Sequence, residues 1–451
     1  MVEAVIIGYL VIMVGVGIYS HYKIKTPKDY YIAGKKGSFP QVSGSLFATI
    51  LGGSAILGTI ELSRQLGWAA LWFLFCASAG LFVLAPISKY VSRYGHFTLP
   101  ELLGHFFGEQ AKMVSSAIIP FAWLGIIAAQ IIGAGKIIES TGLLDYQLAS
   151  VLSGVIFIFY TLIGGQKSII KTDMFQSIFI ITGISTLFFM VSQSAGKPAI
   201  PPFTPQALFN SSFTVLDLAI LVLTYSVTFV VGPDIYSRIF CAKSEKTAMW
   251  SVLSVAVLLI PVSYALTYLG ISSLQYEGVS PQINGLISLG GSFLPSWAFA
   301  LLIAALLSAV MSSADTTLLT ASMILSGLAY GTLENRKAFG NTRILIIVLG
   351  VLSIIISIYV TSIIQMLLLA LAFFSGAFIV PTIAGLLKFK VNRQNVIVAM
   401  ILGGLIALAG KLTNNYLDKL LGNFIIIAAY LVNIALLSLP FDLIKLKYRK
   451  G

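Results

Sequence analysis

The chain has 451 residues, 58% of them hydrophobic and 10% charged, with a net charge of +12 and a mean hydropathy of +0.96. That excludes a soluble globular domain and describes a polytopic membrane protein. The basic residues sit in short stretches between apolar runs, which excludes a nucleic-acid partner, and Cys76 and Cys241 suggest neither a disulfide framework nor a metal site.

An apolar run of about 20 residues crosses a bilayer. Thirteen such runs are predicted, at approximately 2–20, 41–63, 68–92, 113–137, 147–164, 172–193, 214–233, 247–272, 295–329, 344–361, 362–387, 394–411 and 420–443. The first follows Glu3 and has no small-residue cleavage site, so it reads as a retained helix. The second contains Gly52, Gly53 and Ser54. A glycine weakens a helix by about 1 kcal/mol relative to alanine, and a pair at mid-membrane depth predicts a helix that stops and restarts. Broken helices at the midplane are where secondary transporters hold substrate and ion. The plainer reading of the same residues is close helix packing.

Placing Lys23, Lys25, Lys28, Lys35 and Lys36 in the cytoplasm puts 23 of the 28 Lys and Arg on that side. Only Arg64, Lys136, Lys197, Lys411 and Lys419 fall outside. This asymmetry predicts an outside N-terminus and a cytoplasmic C-terminus, in the plasma (inner) membrane. The Pro-rich stretch from Lys197 to Pro205 is then an outer loop between two blocks of five runs. Five is odd, so the blocks run in opposite directions, as inverted repeats do. The predicted organisation is a single transmembrane domain, 1–451. Its parts are a leading helix and cytoplasmic loop (1–40), two repeats (41–195 and 214–388) and two C-terminal helices (391–451). Asn210-Ser211-Ser212 is a glycosylation sequon on the outer side.

Ionisable residues within spans are functional candidates. Asp173 starts the sixth run and Asp315 lies in the ninth; Asp217 and Asp234 bracket the seventh. For Asp173 the plainer reading is an interfacial partner of Lys171 or a helix N-terminal charge, and for Asp315 a cap or a cytoplasmic salt bridge. At 3.6 residues per turn, Ala309, Ser312, Ser313 and Thr316 share one helix face. Such hydroxyls commonly bond their own backbone. Two adjacent hydroxyls, a carbonyl at Ala309 and carbonyls freed at a helix break would also cage a sodium ion, with Asp173 adding attraction.

Five segments then resemble the sodium:solute symporter family, whose members move sugars, proline, pantothenate, sialic acid and other solutes. They are DYYIAGKKGSFPQVSGSLFAT (29–49), TLPELLG (98–104), YTLIGGQKSIIKTDMFQ (160–176), GPDIYSRIFCAKSEKTA (232–248) and AALLSAVMSSADTTLL (304–319). The resemblance implies an all-α LeuT-like fold of two inverted five-helix repeats. It maps a sodium site onto the carbonyls of Ala48, Leu51 and Ala309 and the hydroxyls of Ser312 and Ser313, with Asp173 beside it. It puts Gly53, Ser54 and Ala55, and a position near Leu368, where sugar-transporting members have polar side chains, which argues against a sugar. Tyr225 and Phe229 match the aromatic pair of proline-type members, and Gln130 and Ser375 add polar groups. Free N–H groups at Gly52 and Gly53 would face a carboxylate, as helix N-termini do.

The function expected is sodium-coupled symport of a small organic solute, an amino acid such as proline or a monocarboxylate. Expected with it are no cofactor beyond the coupling sodium, a lipid surround and no obligatory protein partner. Proton coupling through Asp173 is the nearest alternative. An integral-membrane enzyme would need paired carboxylates beside a span, and a sensor would need a signalling domain beyond the short tail.

Overall fold

The computed structural model describes residues 2–22, 26–94, 98–194, 200–275, 284–360 and 362–439. Lys23, Lys25, Lys197 and the C-terminal basic tail, used above for orientation, lie outside them. The described residues are helical, with isolated bridges and no strands. Ten of the helical segments are long and apolar enough to cross a membrane. Two of these, Gly53–Arg93 at 41 residues and Tyr146–Gln193 at 48, exceed one crossing. A 48-residue helix is about 70 Å long against a hydrocarbon core of about 30 Å.

The leading helix α1 (Val2–His21) is followed by a broken span, α2 (Phe39–Ile50) and α3 (Gly53–Leu66). Next come α4 (Leu71–Tyr94), α5 (Glu109–Ser140) and α6 (Tyr146–Gln193). A second broken span follows. Its parts are α7 (Val215–Leu221), a π-helical turn (Val222–Ser226), α8 (Val227–Val231) and α9 (Pro233–Cys241). The chain continues through α10 (Glu245–Ser273), α11 (Ser296–Tyr330), α12 (Arg336–Tyr359), α13 (Ile363–Leu386), α14 (Arg393–Tyr416) and α15 (Lys419–Ser438).

Each break has a local cause. α2 starts on a capping box in which Ser38 N donates to Gln41 Oε1 at 3.0 Å, and it stops where Gly52 and Gly53 withdraw helix propensity. The second break falls at Gly232-Pro233, where Pro233 has no N–H to continue a ladder and suits the first turn of α9. α11 is the innermost helix and packs on α5, α6 and α12. It also touches both halves of the first broken span.

The runs at 147–164 and 172–193 are two helices that meet directly at a kink, with no loop between them. The bend is at Gly165, with φ 54° and ψ −170°, a region open essentially to glycine alone. A β-carbon there would also collide with the ring of Tyr30, which is fully buried. Outside the bend, Lys167 reaches Asp29 at 3.0 Å and ties the helix to the segment after α1.

Gly165→Ala is expected to destabilise the fold by about 1–3 kcal/mol through backbone strain alone. Thermal unfolding in detergent should show a clearly lower midpoint. Gly340→Ala, where an added β-carbon meets nothing within 4 Å, should leave it almost unmoved.

Candidate functional site

Four helices meet at one buried ion pair. Asp173 on α6 is 1% exposed and Arg238 on α9 is 0% exposed, with Nη2 and Oδ2 2.9 Å apart. Ser45 on α2 donates to the same carboxylate oxygen at 2.5 Å, and Arg238 Nε donates to Ser45 Oγ at 3.0 Å. Ser312 on α11 donates to the other oxygen at 2.6 Å. Arg238 also reaches Thr316, and lies 3.2 Å from Ser237 Oγ and 3.5 Å from Gln166 Oε1. Desolvating two charges is compensated only where partners fill their remaining donors and lone pairs, and here they do.

This corrects the sequence reading. The partner of Asp173 is Arg238, not Lys171, which is only half-buried. With its charge matched, Asp173 holds hydroxyls in place rather than adding unbalanced attraction. Asp315 is likewise no exposed cap: it is 1% exposed and accepts from Thr161 Oγ1 at 3.2 Å.

The hydroxyl face of α11 lies against the first break. Ser313 Oγ donates to the carbonyl of Thr49 at 2.6 Å, so α11 is bonded directly to the end of α2. Thr316 and Thr317 donate back to the carbonyls of Ser312 and Ser313 at 2.8 and 2.7 Å. A serine hydroxyl has one hydrogen and two lone pairs. Because Ser312 and Ser313 spend their hydrogens on Asp173 and Thr49, their lone pairs remain for a cation.

At the break, Leu51 N donates to Phe47 O at 2.9 Å, and the Gly52 carbonyl accepts from Ala55 and Ile56 N at 3.0 Å. Among the described residues the carbonyls of Ala48 and Leu51 accept no backbone hydrogen bond across it. The N–H groups of Gly52 and Gly53 likewise have no backbone partner there. Close packing operates as well: a β-carbon on Gly52 would overlap Ser313 Oγ, and one on Gly53 would overlap Val310.

Beside the break is a cavity of about 60 Å³. Ser54, Gln130, Tyr225 and Phe229 line it, with Thr49, Trp123, Asp234, Ser313 and Leu367. Gln130 Nε2 donates to Ser54 Oγ at 2.7 Å, and Ser54 N donates to Gln130 Oε1 at 3.3 Å, so the glutamine caps α3 from α5. Tyr225 sits in the π-helical turn, edge-on to Phe229 at 5.0 Å and stacked on Phe73 at 4.2 Å. Ser375 is not brought to this cavity. Its hydroxyl donates to Ala372 O at 3.0 Å and accepts from Tyr430 at 2.7 Å.

Sequence reasoning missed Thr49 and Trp123. The Trp123 indole N–H and the Thr49 hydroxyl are buried and have no hydrogen-bond partner among the described residues. Nothing marks a single tryptophan in an apolar run as more than core. Arg238 was noted only as part of a motif, and no local pattern announces a partner 65 residues away.

The family model described as "Sodium:solute symporter family" matches residues 30–403. The chain is 23% identical over 454 residues to the sodium/pantothenate symporter of Escherichia coli (strain K12), covering 91% of each. Its fold is similar to a solved Na+-coupled sialic acid symporter in a substrate-bound, outward-open state. There the TM-score is 0.76 and the identity 20%, over 96% of this chain and 97% of that one. A nucleobase-cation-symport-1 family transporter, Mhp1, in a closed conformation aligns with a TM-score of 0.57 at 15% identity, over 90% and 93% of the two chains.

Removing one member of the buried pair leaves the other charge unmatched, at a cost of about 3–5 kcal/mol. Asp173→Ala and Arg238→Ala should each lower the melting temperature sharply. The double variant should lose much less than the sum, and a double-mutant cycle on purified protein in detergent measures the difference.

Proposed function

Because the chain belongs to the sodium:solute symporter family, and is a multi-pass transporter coupling a small solute to sodium, we propose which of its residues hold each. Sodium binds between the end of α2 and the face of α11. Its ligands are the carbonyls of Ala48, Leu51 and Ala309 and the hydroxyls of Ser312 and Ser313. The observation that carries this reading is the direction of the two serine hydrogen bonds, which leaves oxygen lone pairs beside carbonyls the break has freed. Asp173 orients Ser312 and is itself fixed by Arg238.

The solute occupies the cavity beside the break. Its lining holds two polar groups without partners among the described residues, the Trp123 indole N–H and the Thr49 hydroxyl, together with the Asp234 carboxylate. The free indole N–H suits a carboxylate oxygen, the Asp234 carboxylate suits an ammonium group, and Tyr225 and Phe229 suit a small apolar body. We therefore read the solute as an amino acid or a monocarboxylate. Ser375 plays no direct part in this reading, since Tyr430 occupies it.

Coupling follows from the placement. The first broken span contributes both sodium carbonyls and solute-facing groups, so an ion there stabilises the arrangement that receives solute. A ligand shifts such an equilibrium only by its difference in affinity between states. The two broken spans, each first in a block of five, support the inverted-repeat organisation of 41–195 and 214–388. Thirteen spans with the N-terminus outside, in the plasma membrane, are proposed from the apolar runs and the distribution of Lys and Arg.

Ser312→Ala or Ser313→Ala removes one of about five ligands, a loss of roughly 1.5–3 kcal/mol. The sodium concentration for half-maximal uptake should rise on the order of ten- to a hundredfold, with solute affinity at saturating sodium changing far less. The measurement is uptake into proteoliposomes over a sodium series at fixed pH. Wild-type uptake that ignores sodium and follows a proton gradient would install the proton-coupled alternative instead.

Orientation has its own test. Both native cysteines are buried, so background labelling should be low. A cysteine at Pro202 should react with an impermeant thiol reagent added to intact cells, and one at Lys337 should not. Equal labelling of the two would reject the thirteen-span orientation.

A further inference from the structure

A second cavity, of about 290 Å³, lies where the turn between α14 and α15 meets the start of α7. Lys411, Lys419, Asp217, Asn414 and Asn423 line it, and Phe73 forms part of its wall. Its charges do not balance. Lys419 Nζ lies 2.8 Å from Asp217 Oδ1, which also accepts from Asn423 at 3.4 Å. The other oxygen of Asp217 accepts from Thr214 N and Oγ1 at 2.9 and 2.8 Å. The carboxylate is therefore saturated by Lys419, Asn423 and Thr214. Lys411 is left half-buried with one long hydrogen bond, 3.5 Å to Asn414 Oδ1, and no carboxylate partner among the described residues. An ammonium group that has lost part of its hydration and has no counter-charge favours an anion beside it.

The cavity also adjoins the solute site. Phe73 faces it, Tyr225 faces the central cavity, and the two rings stack at 4.2 Å and 13°. The stacked pair is thus a shared wall between the two cavities.

We propose that this outer cavity is a reception site in which Lys411 binds the carboxylate of the solute before the Phe73–Tyr225 stack admits it to the central cavity. The inference rests on the carboxylate-bearing solute proposed above. It goes further in giving α14 and α15, which lie outside the two repeats, a role in solute capture.

The test uses full-length protein in proteoliposomes at saturating sodium, with labelled proline, pyruvate and pantothenate as probes and glucose as the uncharged control. For an acid that wild type carries, Lys411→Gln should raise KM about tenfold, the scale on which a local charge raises substrate capture. The maximal rate should fall less than twofold, and Lys411→Arg should restore KM. Equal melting temperatures for the three proteins exclude misfolding as the cause. If wild type carries an acid and Lys411→Gln leaves its KM unchanged, the reception site is overturned while the carboxylate reading stands. If wild type carries glucose and none of the acids, both are overturned.

Discussion

The Asp173–Arg238 pair is the constraint around which this bundle is arranged. Two full charges out of water cannot separate without each meeting a desolvation cost of several kcal/mol. α6, α9, α2 and α11 are therefore held at fixed spacing by the pair and the hydroxyls bonded to it. The pair also sets the chemistry of its surroundings. It turns the Ser312 hydroxyl toward Asp173 and so decides which of that oxygen's lone pairs remain available. Any change of state in which α2 and α11 part has to exchange this network for another or carry it along intact.

The two broken spans solve a second problem. Backbone that is not helical is tolerated at membrane depth only when surrounded by protein or facing a wet cavity. At the first break, Gln130 and Ser313 bring side chains to the exposed backbone, and the glycines let α11 approach closely enough to do so. Close packing and the helix break are therefore one arrangement. The residues that permit contact with Ser313 are the residues that free the carbonyls.

Much of this could be read from the chain, for identifiable reasons. Long apolar runs and alternating basic loops are local signals, and so is a Gly-Gly pair inside a run. The hydroxyls of α11 share a face because helical periodicity requires it. Other features depended on contacts between distant segments. Arg238 looked like a loop residue by charge and became the most deeply buried cation because α9 turns inward after Gly232-Pro233. That dipeptide was itself a legible stop signal, and reading it would have placed the second break. How the runs at 147–164 and 172–193 join was not legible: Gly165, with positive φ, kinks the two helices directly together. Ser375 was polar and at a plausible depth, but Tyr430 from α15 takes up its hydroxyl.

The π-helical turn at Val222–Ser226 has a consequence for how this span tolerates changes of length. Such a turn holds one residue more than the α-helical ladder needs, as if a residue had been inserted without disturbing the helix on either side. Deleting one residue there would restore an unbroken ladder and keep the span's hydrophobicity. It would leave the two flanks close to their present register and change mainly the positions of the residues within the turn, the Tyr225 ring against Phe73 among them. Arg238, beyond the break at Gly232, would be little affected. A length change that spares the fold and the ion pair would thus fall almost wholly on the aromatic wall of the central cavity, making this short turn a place where that wall can be reshaped without loss of the bundle.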